Sequence, residues 1–408
     1  MYALIDCNNF YASCEQVFNP SYQEKPLVIL SSNDGCIIAR SKEAKQLGIP
    51  MGAPAFKYKN LFLRNDVITL SSNFALYGDM SHRVIETIKT FSLPIEIYSI
   101  DEVFLAMPEN NQIELAKAIR KKVLQWTGIT VSIGIAPTKT LAKIANHSAK
   151  KGQGVVKYTS PLLQDLPVDE IWGIGRRLKK RLHSYSIRYA HQLIKMSDHW
   201  IKKHLTVVGL RTVMELRGTP CISLLEIPPE RKSIISSRSF GRPVTTLKEL
   251  KEAIATFVAI AARKLRRESL KAHFILIFIS EKNYQSETAT IHLPLATAYT
   301  PDLVKTAHFL LEGIYQKGTS YKKGGVMLSE LSAENESQLD LFSKEKDGLQ
   351  KRQVIEAVDE INSRFGDKIV TFASEGIQKK WKSLSSRRSP NYTTCWEEIP
   401  PVINRKKE

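Results

Sequence analysis

The sequence predicts an α+β protein in which one order of elements, βαββαβ, occurs twice. Three observations carry this. A short alternating strand at Tyr2–Cys7 opens a first run of alternating and helical periodicities that closes at Pro137. A second run starts after Pro228-Pro229 and reaches residue 331. Between them, residues 161–230 read as short basic helices.

In the first run, Phe74, Tyr77, Val84, Ile88 and Phe91 recur at helical spacing over 73–91. Residues 95–98 and 103–106 read as a hairpin pair, 113–126 as a helix, and 129–135 as a strand. This is the split-βαβ or ferredoxin-like order, formed by residues 1–11 and 73–160, once an insertion at 12–72 rich in turn formers (Ser31–Gly35, Gly48–Pro50, Gly52–Pro54) is set aside. The second run, within 231–331, comprises strand 233–240, helix 247–268, strands 272–280 and 286–293, helix 301–316 and strand 324–331. The polar stretch 332–352 reads as a linker. Residues 353–408 hold one helix, 353–365, and an irregular basic tail with Trp381 and Trp396.

Composition narrows the function classes. The longest aliphatic and aromatic run, Phe274–Ile279, is far short of the ~20 residues that span a bilayer. Asp6 interrupts the one apolar stretch at the N-terminus, so no signal peptide is expected. Five scattered cysteines without a CxxC pair suggest a reduced, cytoplasmic protein with neither disulfide framework nor zinc ribbon. Of 408 residues, 59 are Lys or Arg and 41 Asp or Glu, a formal net charge of +18. Residues 111–240 hold 23 of the basic and 8 of the acidic side chains. An excess so localised points to a polyanion, and nucleic acid fits better than a membrane, because no basic amphipathic helix or lipidation signal accompanies it.

Asp6 ends the first strand, and Asp101 and Glu102 lie between the two hairpin strands. Neighbours on a flat strand point to opposite faces, so both can serve one site only where the chain turns. In a split-βαβ sheet the first strand lies beside the hairpin, which lets the three carboxylates converge. Such a cluster repels itself unless cations fill it, and two hard divalent ions are the usual solution in phosphoryl transfer. Alternatively, Asp6 is a strand-end residue and Asp101 and Glu102 are ordinary turn acids.

Two groups of cations lie near these acids in sequence: Arg40, Lys42 and Lys45 in the insertion, and Lys139, Lys143 and Lys150 after Pro137. At 100° per residue, Lys143 and Lys150 fall within 40° and 20° of Lys139 on a helix. A one-sided lysine row is often only a solvated face. Val168–Leu182 reads as a helix-hairpin-helix, in which Gly173 and Gly175 open the turn to a phosphate and Arg176, Arg177, Lys179 and Lys180 add attraction without sequence preference. Gln338-Leu339-Asp340-Leu341-Phe342 sets three apolar side chains in a polar linker, which is unexpected unless a partner buries them.

Three blocks carry a resemblance: Asp6–Glu15 (DCNNFYASCE), Ser99–Glu102 (SIDE) and Ser132–Ala145 (SIGIAPTKTLAKIA). They resemble the signature blocks of the Y-family translesion DNA polymerases. Asn362–Gly366 and Ser389–Thr394 are similar to the tail of one bacterial branch of that family. The resemblance implies a right-hand polymerase, with a palm at 1–11 and 73–160, fingers at 12–72, a thumb at 161–230, a little finger at 231–331 and a branch-specific region at 353–408. It implies that Asp6, Asp101 and Glu102, with the Cys7 carbonyl, hold two Mg²⁺ ions. Tyr11 would be a steric gate where a ribonucleotide 2′-hydroxyl would sit, whereas Phe10 is core. Arg40, Lys42, Lys45 and Lys150 would meet the dNTP triphosphate, although a Tyr and an Arg often stand where Lys42 and Lys45 stand. Lys139, Lys143, the hairpin residues, and Arg238, Arg242, Arg263 and Arg266 would meet primer-template DNA. Gln338–Phe342 matches the bacterial sliding-clamp motif. A processed UmuD dimer and the RecA filament are the other implied partners, in an SOS setting, with nucleoid association when engaged. Two rivals are a non-catalytic DNA-binding relative, disfavoured by the intact carboxylates, and a nucleotidyl cyclase on the same palm, disfavoured by the hairpin and the clamp motif.

Overall fold

A computed structural model describes residues 1–225, 230–281, 285–334, 345–366 and 369–400. The chain divides into two units, one of residues 1–31, 35–228 and 386–408, the other of residues 32–34 and 229–385.

The first unit is centred on β1 (Tyr2–Cys7), which is buried over five of its six residues. Around it come α1 (Phe10–Phe18), β2 (Leu27–Leu30), β3 (Ile37–Arg40), α2 (Lys42–Gln46), α3 (Lys59–Arg64), β4 (Ile68–Ser71), α4 (Phe74–Lys89), β5 (Ile95–Ile97), β6 (Glu102–Ala106), α5 (Gln112–Thr127), β7 (Val131–Ala136), α6 (Lys139–Lys151) and β8 (Val155–Lys157). The main sheet runs β5-β6-β1-β7-β8. Its first four strands have the expected ferredoxin-like order. Alternation along β1 sorts its side chains: Ala3, Ile5 and Cys7 join the core under α4 and α5, whereas Leu4 joins Phe104, Leu141 and Ala142 on the α6 side. Asp6 shares parity with Leu4 and so belongs to the α6 face.

Two differences from the sequence reading stand out. β8 extends the sheet with a parallel pairing to β7, too short at three residues to leave a periodic signal. The insertion also shares the core of β1: Ala12 and Cys14 of α1 and Leu27 and Ile29 of β2 lie in it. Its small sheet, β3-β2-β4, has a further core of Val28, Leu30, Ile37 and Phe62. The helical segment that follows holds α7 (Arg176–Ser184), α8 (Ala190–Leu193) and α9 (Asp198–Leu216). Thr206 interrupts α9 at φ 67° and ψ −177°, dividing it into two helices at a kink that the sequence reading missed.

The second unit contains β9 (Ser233–Val244), α10 (Leu247–Arg267), β10 (Leu270–Glu281), β11 (Ser286–Thr297), α11 (Thr300–Ile314), β12 (Tyr321–Ala333) and α12 (Glu345–Phe365). The element order is the expected βαββαβ, but the strands run β11-β10-β12-β9. The last strand lies between the first strand and the hairpin, whereas in the first unit β1 lies between the hairpin and β7. The second sheet is therefore not ferredoxin-like in strand order. Periodicity identifies strands without saying which neighbour a returning strand chooses.

The tail is also more ordered than its composition suggested. α12 starts eight residues before the expected helix. Asn362 exchanges hydrogen bonds with the Val370 backbone, at 2.9 and 3.0 Å. The Gly241 N–H donates to the Trp381 carbonyl at 3.0 Å, and a Cβ at Gly241 would lie 2.2 Å from the Lys382 carbonyl oxygen. That approach seats the Trp381 ring against Phe240 and Phe257, with centroids 6.1 and 5.4 Å away. Trp381 is 3% exposed and Trp396 is 85% exposed. Trp381→Ala should destabilise the protein by about 3–5 kcal/mol, as large-to-small core replacements do. Trp396→Ala should stay within about 0.5 kcal/mol of the parent. Denaturant unfolding of the two variants checks the contrast.

Candidate active site

The three carboxylates lie near one another at the Cys7 end of β1. In the β1–β6 ladder Asp6 stands opposite Glu102, and the Cys7 N–H donates to the Asp101 carbonyl at 2.9 Å. The turn between β5 and β6 is shaped by Ser99. Its hydroxyl donates to Asp101 Oδ1 at 2.7 Å and accepts from the Glu102 N–H at 3.0 Å. This is the turn that lets sequence neighbours serve one site. Burial pushes the Asp6 carboxyl up to about 6 despite Lys150, and the charges of Glu102 and Asp101 add to the rise. Burial also pushes the Cys7 thiol well up and keeps it in the core, so only the Cys7 main chain is available to the site.

Counter-charge comes from α6, and a glycine places it. A Cβ on Gly134 would lie 2.1 Å from Asn146 N and 2.3 Å from the Ala142 carbonyl oxygen, so α6 rests directly on the β7 backbone. Asn146 Nδ2 fastens the contact by donating to the Leu4 and Ser132 carbonyls at 3.1 and 2.6 Å. From this height Lys150 Nζ reaches Asp6 Oδ2 at 2.5 Å, and Lys143 Nζ reaches both Glu102 oxygens at 2.9 and 2.8 Å. Lys143 also lies over the rings of Tyr98, Trp172 and Phe104 at 4.5, 5.3 and 5.7 Å. Among the described residues, no three acids, histidines or cysteines are drawn together as metal ligands. The donor set nevertheless suits a hard divalent cation: three carboxylates, of which Asp6 is buried, offer oxygen ligands.

Lys139 requires a correction. It is fully buried, paired with Glu96, and donates to the Ser223 carbonyl at 2.7 Å. Glu96 accepts in turn from the Leu225 N–H at 2.7 Å. Lys139 thus ties the start of α6 to the chain at 223–225 and presents nothing to DNA. Lys143 is likewise committed to Glu102.

From the insertion, Lys45 Nζ donates to Asn9 Oδ1 at 2.5 Å. Burial, then the nearby charges of Arg40 and Lys150, pull the Lys45 ammonium below its usual value. Arg40 donates to the Ile49 carbonyl, and its Nε is buried without a hydrogen-bond partner among the described residues. Lys42 is exposed in the first turn of α2. Tyr11 stacks on Tyr77 with centroids 4.4 Å apart and planes 14° apart, and Phe74 meets it edge-on at 5.9 Å. Burial, then the charge of Asp101, raises its phenol above the usual value. Phe10 is core, as expected.

In the helical hairpin, Gly173 takes φ 90°, open to glycine, whereas Gly175 (φ −86°) leaves the start of α7 uncapped by any side chain. Arg176, Arg177 and Lys180 are exposed there, and Lys179 pairs with Asp169 at 2.6 Å. Trp172 Nε1 donates to the Tyr98 hydroxyl at 3.1 Å, linking this hairpin to the carboxylate turn. In the second unit Arg238 is exposed on β9, and Arg242 pairs with Glu249 near the surface. Arg263 lies with Asn362 and Phe372 in a cleft on the α12 side of α10. Arg266 is a second correction. It grips Asp359 with two hydrogen bonds of 2.6 and 2.9 Å and donates to Ala298 O and Thr300 Oγ1, so it joins α10, α11 and α12 rather than meeting a phosphate. Gln338–Phe342 lies outside the described residues.

Residues 5–147 match the impB/mucB/samB family and residues 231–341 its C-terminal domain. Protein UmuC of Salmonella typhimurium is 40% identical over 98% of this chain and 99% of its own. The chain belongs to the impB/mucB/samB family. Protein SamB of Salmonella typhimurium is 39% identical over 98% of the chain, and DNA polymerase IV of Bacillus anthracis 28% over 94%. The expected likeness of the tail to one bacterial branch holds, since the match to Protein UmuC runs nearly end to end. The fold is that of solved Y-family polymerases. A Dbh–Dpo4 chimera superposes with a TM-score of 0.68 over 81% of this chain and 99% of its own, at 24% identity. An insertion ternary complex of Dbh DNA polymerase gives 0.55 over 80% of this chain and 98% of its own, at 23% identity. Residues 352–402 match a domain described as of unknown function.

Removing one partner of a buried ion pair strands the other, typically at a cost of about 3–5 kcal/mol. Lys139→Met should therefore lower stability by that amount, while the salt dependence of DNA binding keeps its slope. Parallel unfolding and salt titrations decide between the internal and the DNA-facing role.

Proposed function

We propose that the carboxylate edge of β1 and β6 is the catalytic centre of template-directed nucleotide addition across damaged DNA. The chain is a DNA-directed DNA polymerase of the translesion type, a nucleotidyltransferase of SOS mutagenesis and DNA repair. The observation that carries the placement is the opposition of Asp6 and Glu102 across the ladder, with Asp101 next to Glu102 in sequence and its carbonyl accepting from the Cys7 N–H.

Asp6, Asp101 and Glu102, with the Cys7 carbonyl, would hold two divalent cations, Mg²⁺ by preference for hard oxygen donors. Such ions, when bound, lower the barrier to attack by the primer 3′-hydroxyl and neutralise the leaving pyrophosphate. The chain's own residues do the rest. Lys45, Arg40 and Lys150 converge near Asp6 and form a cationic cradle for a triphosphate; Lys42 lies one helical turn from Lys45 on its outer side. Lys150 then has two alternative anions, the Asp6 carboxylate and the incoming phosphate. Tyr11, held flat on Tyr77, closes the space beside the sugar and acts as the steric gate. Gly173, Gly175, Arg176, Arg177 and Lys180 hold a DNA phosphate at the hairpin; Arg238 and Arg242, in the second unit, are DNA-backbone ligands in their own right.

By its likeness to Protein UmuC, the chain serves as the catalytic subunit of a bacterial DNA polymerase V, with a processed UmuD dimer, the RecA filament and the sliding clamp as partners, in the cytoplasm and at the nucleoid when engaged. No helix among the described residues is long and apolar enough to cross a membrane.

Asp101→Asn nearly preserves shape and removes one charge, so thermal unfolding should change little while primer extension with Mg²⁺ disappears. Extension near the parent rate would overturn the metal assignment. Replacing Leu341 and Phe342 together by Ala should remove apolar anchors worth ~2 kcal/mol or more. Clamp-stimulated extension on long primed DNA should fall, with distributive extension on a short primer near normal. Equal stimulation by the loaded clamp would make the motif an accident of a polar segment.

A further inference from the structure

The C-terminal residues 386–392, within the stretch matching a domain of unknown function, pack against the helices that carry Tyr11. They first extend the inserted sheet. Ser71 N–H donates to the Arg387 carbonyl at 3.1 Å, the Arg387 N–H donates to Ser71 Oγ at 3.0 Å, and Arg388 bridges Ser71 in parallel. Two residues on, Asn73, the N-cap of α4, donates through Nδ2 to Ser389 O, Ser389 Oγ and Pro390 O at 3.2, 3.0 and 3.1 Å. The Ser389 hydroxyl donates onward to Glu15 Oε1 at 3.0 Å. That same oxygen accepts the Tyr77 hydroxyl at 2.7 Å. Finally, Tyr392 lies flat on Phe18 at the end of α1, with centroids 4.9 Å apart and planes 4° apart.

These contacts form a continuous relay. Asn73, Ser389, Glu15 and Tyr77 are linked donor to acceptor, and Tyr77 is the surface on which Tyr11 lies. Glu15 and Tyr77 are fully buried and Ser389 is 8% exposed. Glu15 Oε2 has no partner among the described residues, so the two hydroxyls on Oε1 are what the structure offers this buried carboxyl. Burial holds that carboxyl above its usual range even with both hydroxyls in place. Losing the tail hydroxyl would leave Tyr77 as the one described hydroxyl on Glu15.

We propose that the Arg387–Tyr392 strap is a positioning element for nucleotide selection: through Ser389, Glu15 and Tyr77 it fixes the ring of Tyr11 at the sugar side of the active site. The selectivity part rests on the reading of Tyr11 as the steric gate; the positioning part does not. Ser389, Glu15 and Tyr77 are positioning residues, since none of them faces the nucleotide site.

The experiment uses the full chain with its partners, in single-nucleotide addition on an undamaged primer-template. The parent, Ser389→Ala, Ser389→Thr and Tyr392→Ala are compared for the ratio of kcat/KM between a deoxynucleotide and the matching ribonucleotide. Loss of one hydrogen bond to the buried Glu15 carboxyl should lower discrimination roughly three- to tenfold in Ser389→Ala. Ser389→Thr, which keeps the hydroxyl, should restore it, and deoxynucleotide addition should stay near the parent rate. In a Tyr11→Ala background, Ser389→Ala should have no further effect. In parallel, 3-fluorotyrosine at position 11 reports the ring directly by ¹⁹F NMR, and its signal should shift or broaden in Ser389→Ala and Tyr392→Ala. An unchanged signal in both variants overturns the strap. So does a loss of discrimination that persists unaltered in the Tyr11→Ala background. If the signal moves but Tyr11→Ala itself discriminates like the parent, positioning stands and the steric-gate reading falls.

Discussion

Like charges gathered at the end of a buried strand are the constraint around which the first unit is arranged. Asp6, opposite Glu102 and beside Asp101, has little water to stabilise its charge, and two carboxylates close by raise the cost further. The counter-charge must come from a rigid element held close to the sheet, and α6 meets this requirement because residue 134 has no side chain. Backbone rests on backbone there, Asn146 pins the contact, and the lysines one and three turns along the helix arrive at the acids. The electrostatics of the centre thus rest on a steric fact about one strand position.

Much of this was legible from the residues alone. β1, the β5–β6 hairpin with its turn acids, α4, α5 and the second βαββαβ run all follow from strong periodicities and turn formers. So does the placing of Lys143 and Lys150 on one face of a helix. Periodicity does not say whether a face looks outward. Lys139 shares that face but lies at the helix start, where Glu96 and the chain at 223–225 close over it. Arg266 was misread for the same reason: a basic residue near a helix end matches a phosphate ligand in composition, yet its acid partner, Asp359, lies 93 residues away. The break at Thr206 left no sign because glycine, the usual residue for that backbone conformation, is absent. The tail was illegible for a different reason. Its order comes from single contacts, such as the Gly241–Lys382 approach and the Asn73–Ser389 bonds, and not from a repeat.

The two units show how far one order of elements underdetermines a sheet. Both run βαββαβ, and both bury their helices against one another and a sheet face, yet the last strand of the second unit takes a different neighbour. In that unit the C-terminal residues up to 385 add to the core beside α10 through Trp381, while those after 385 add to the first unit through Ser389 and Tyr392. One stretch of chain therefore contributes packing to both units.

The inward turn of Lys139 and Arg266 bears on how this chain can vary over generations. A cation paired with an acid inside the fold cannot drift alone, because a change at either position strands a charge. Positions 139 and 96, and to a lesser degree 266 and 359, are bound to change together or not at all. Arg176 and Arg177 face solvent, so charge lost at one of them can be regained at a neighbouring position. Within a single basic sequence, some cations are thus inherited as pairs and others as a total.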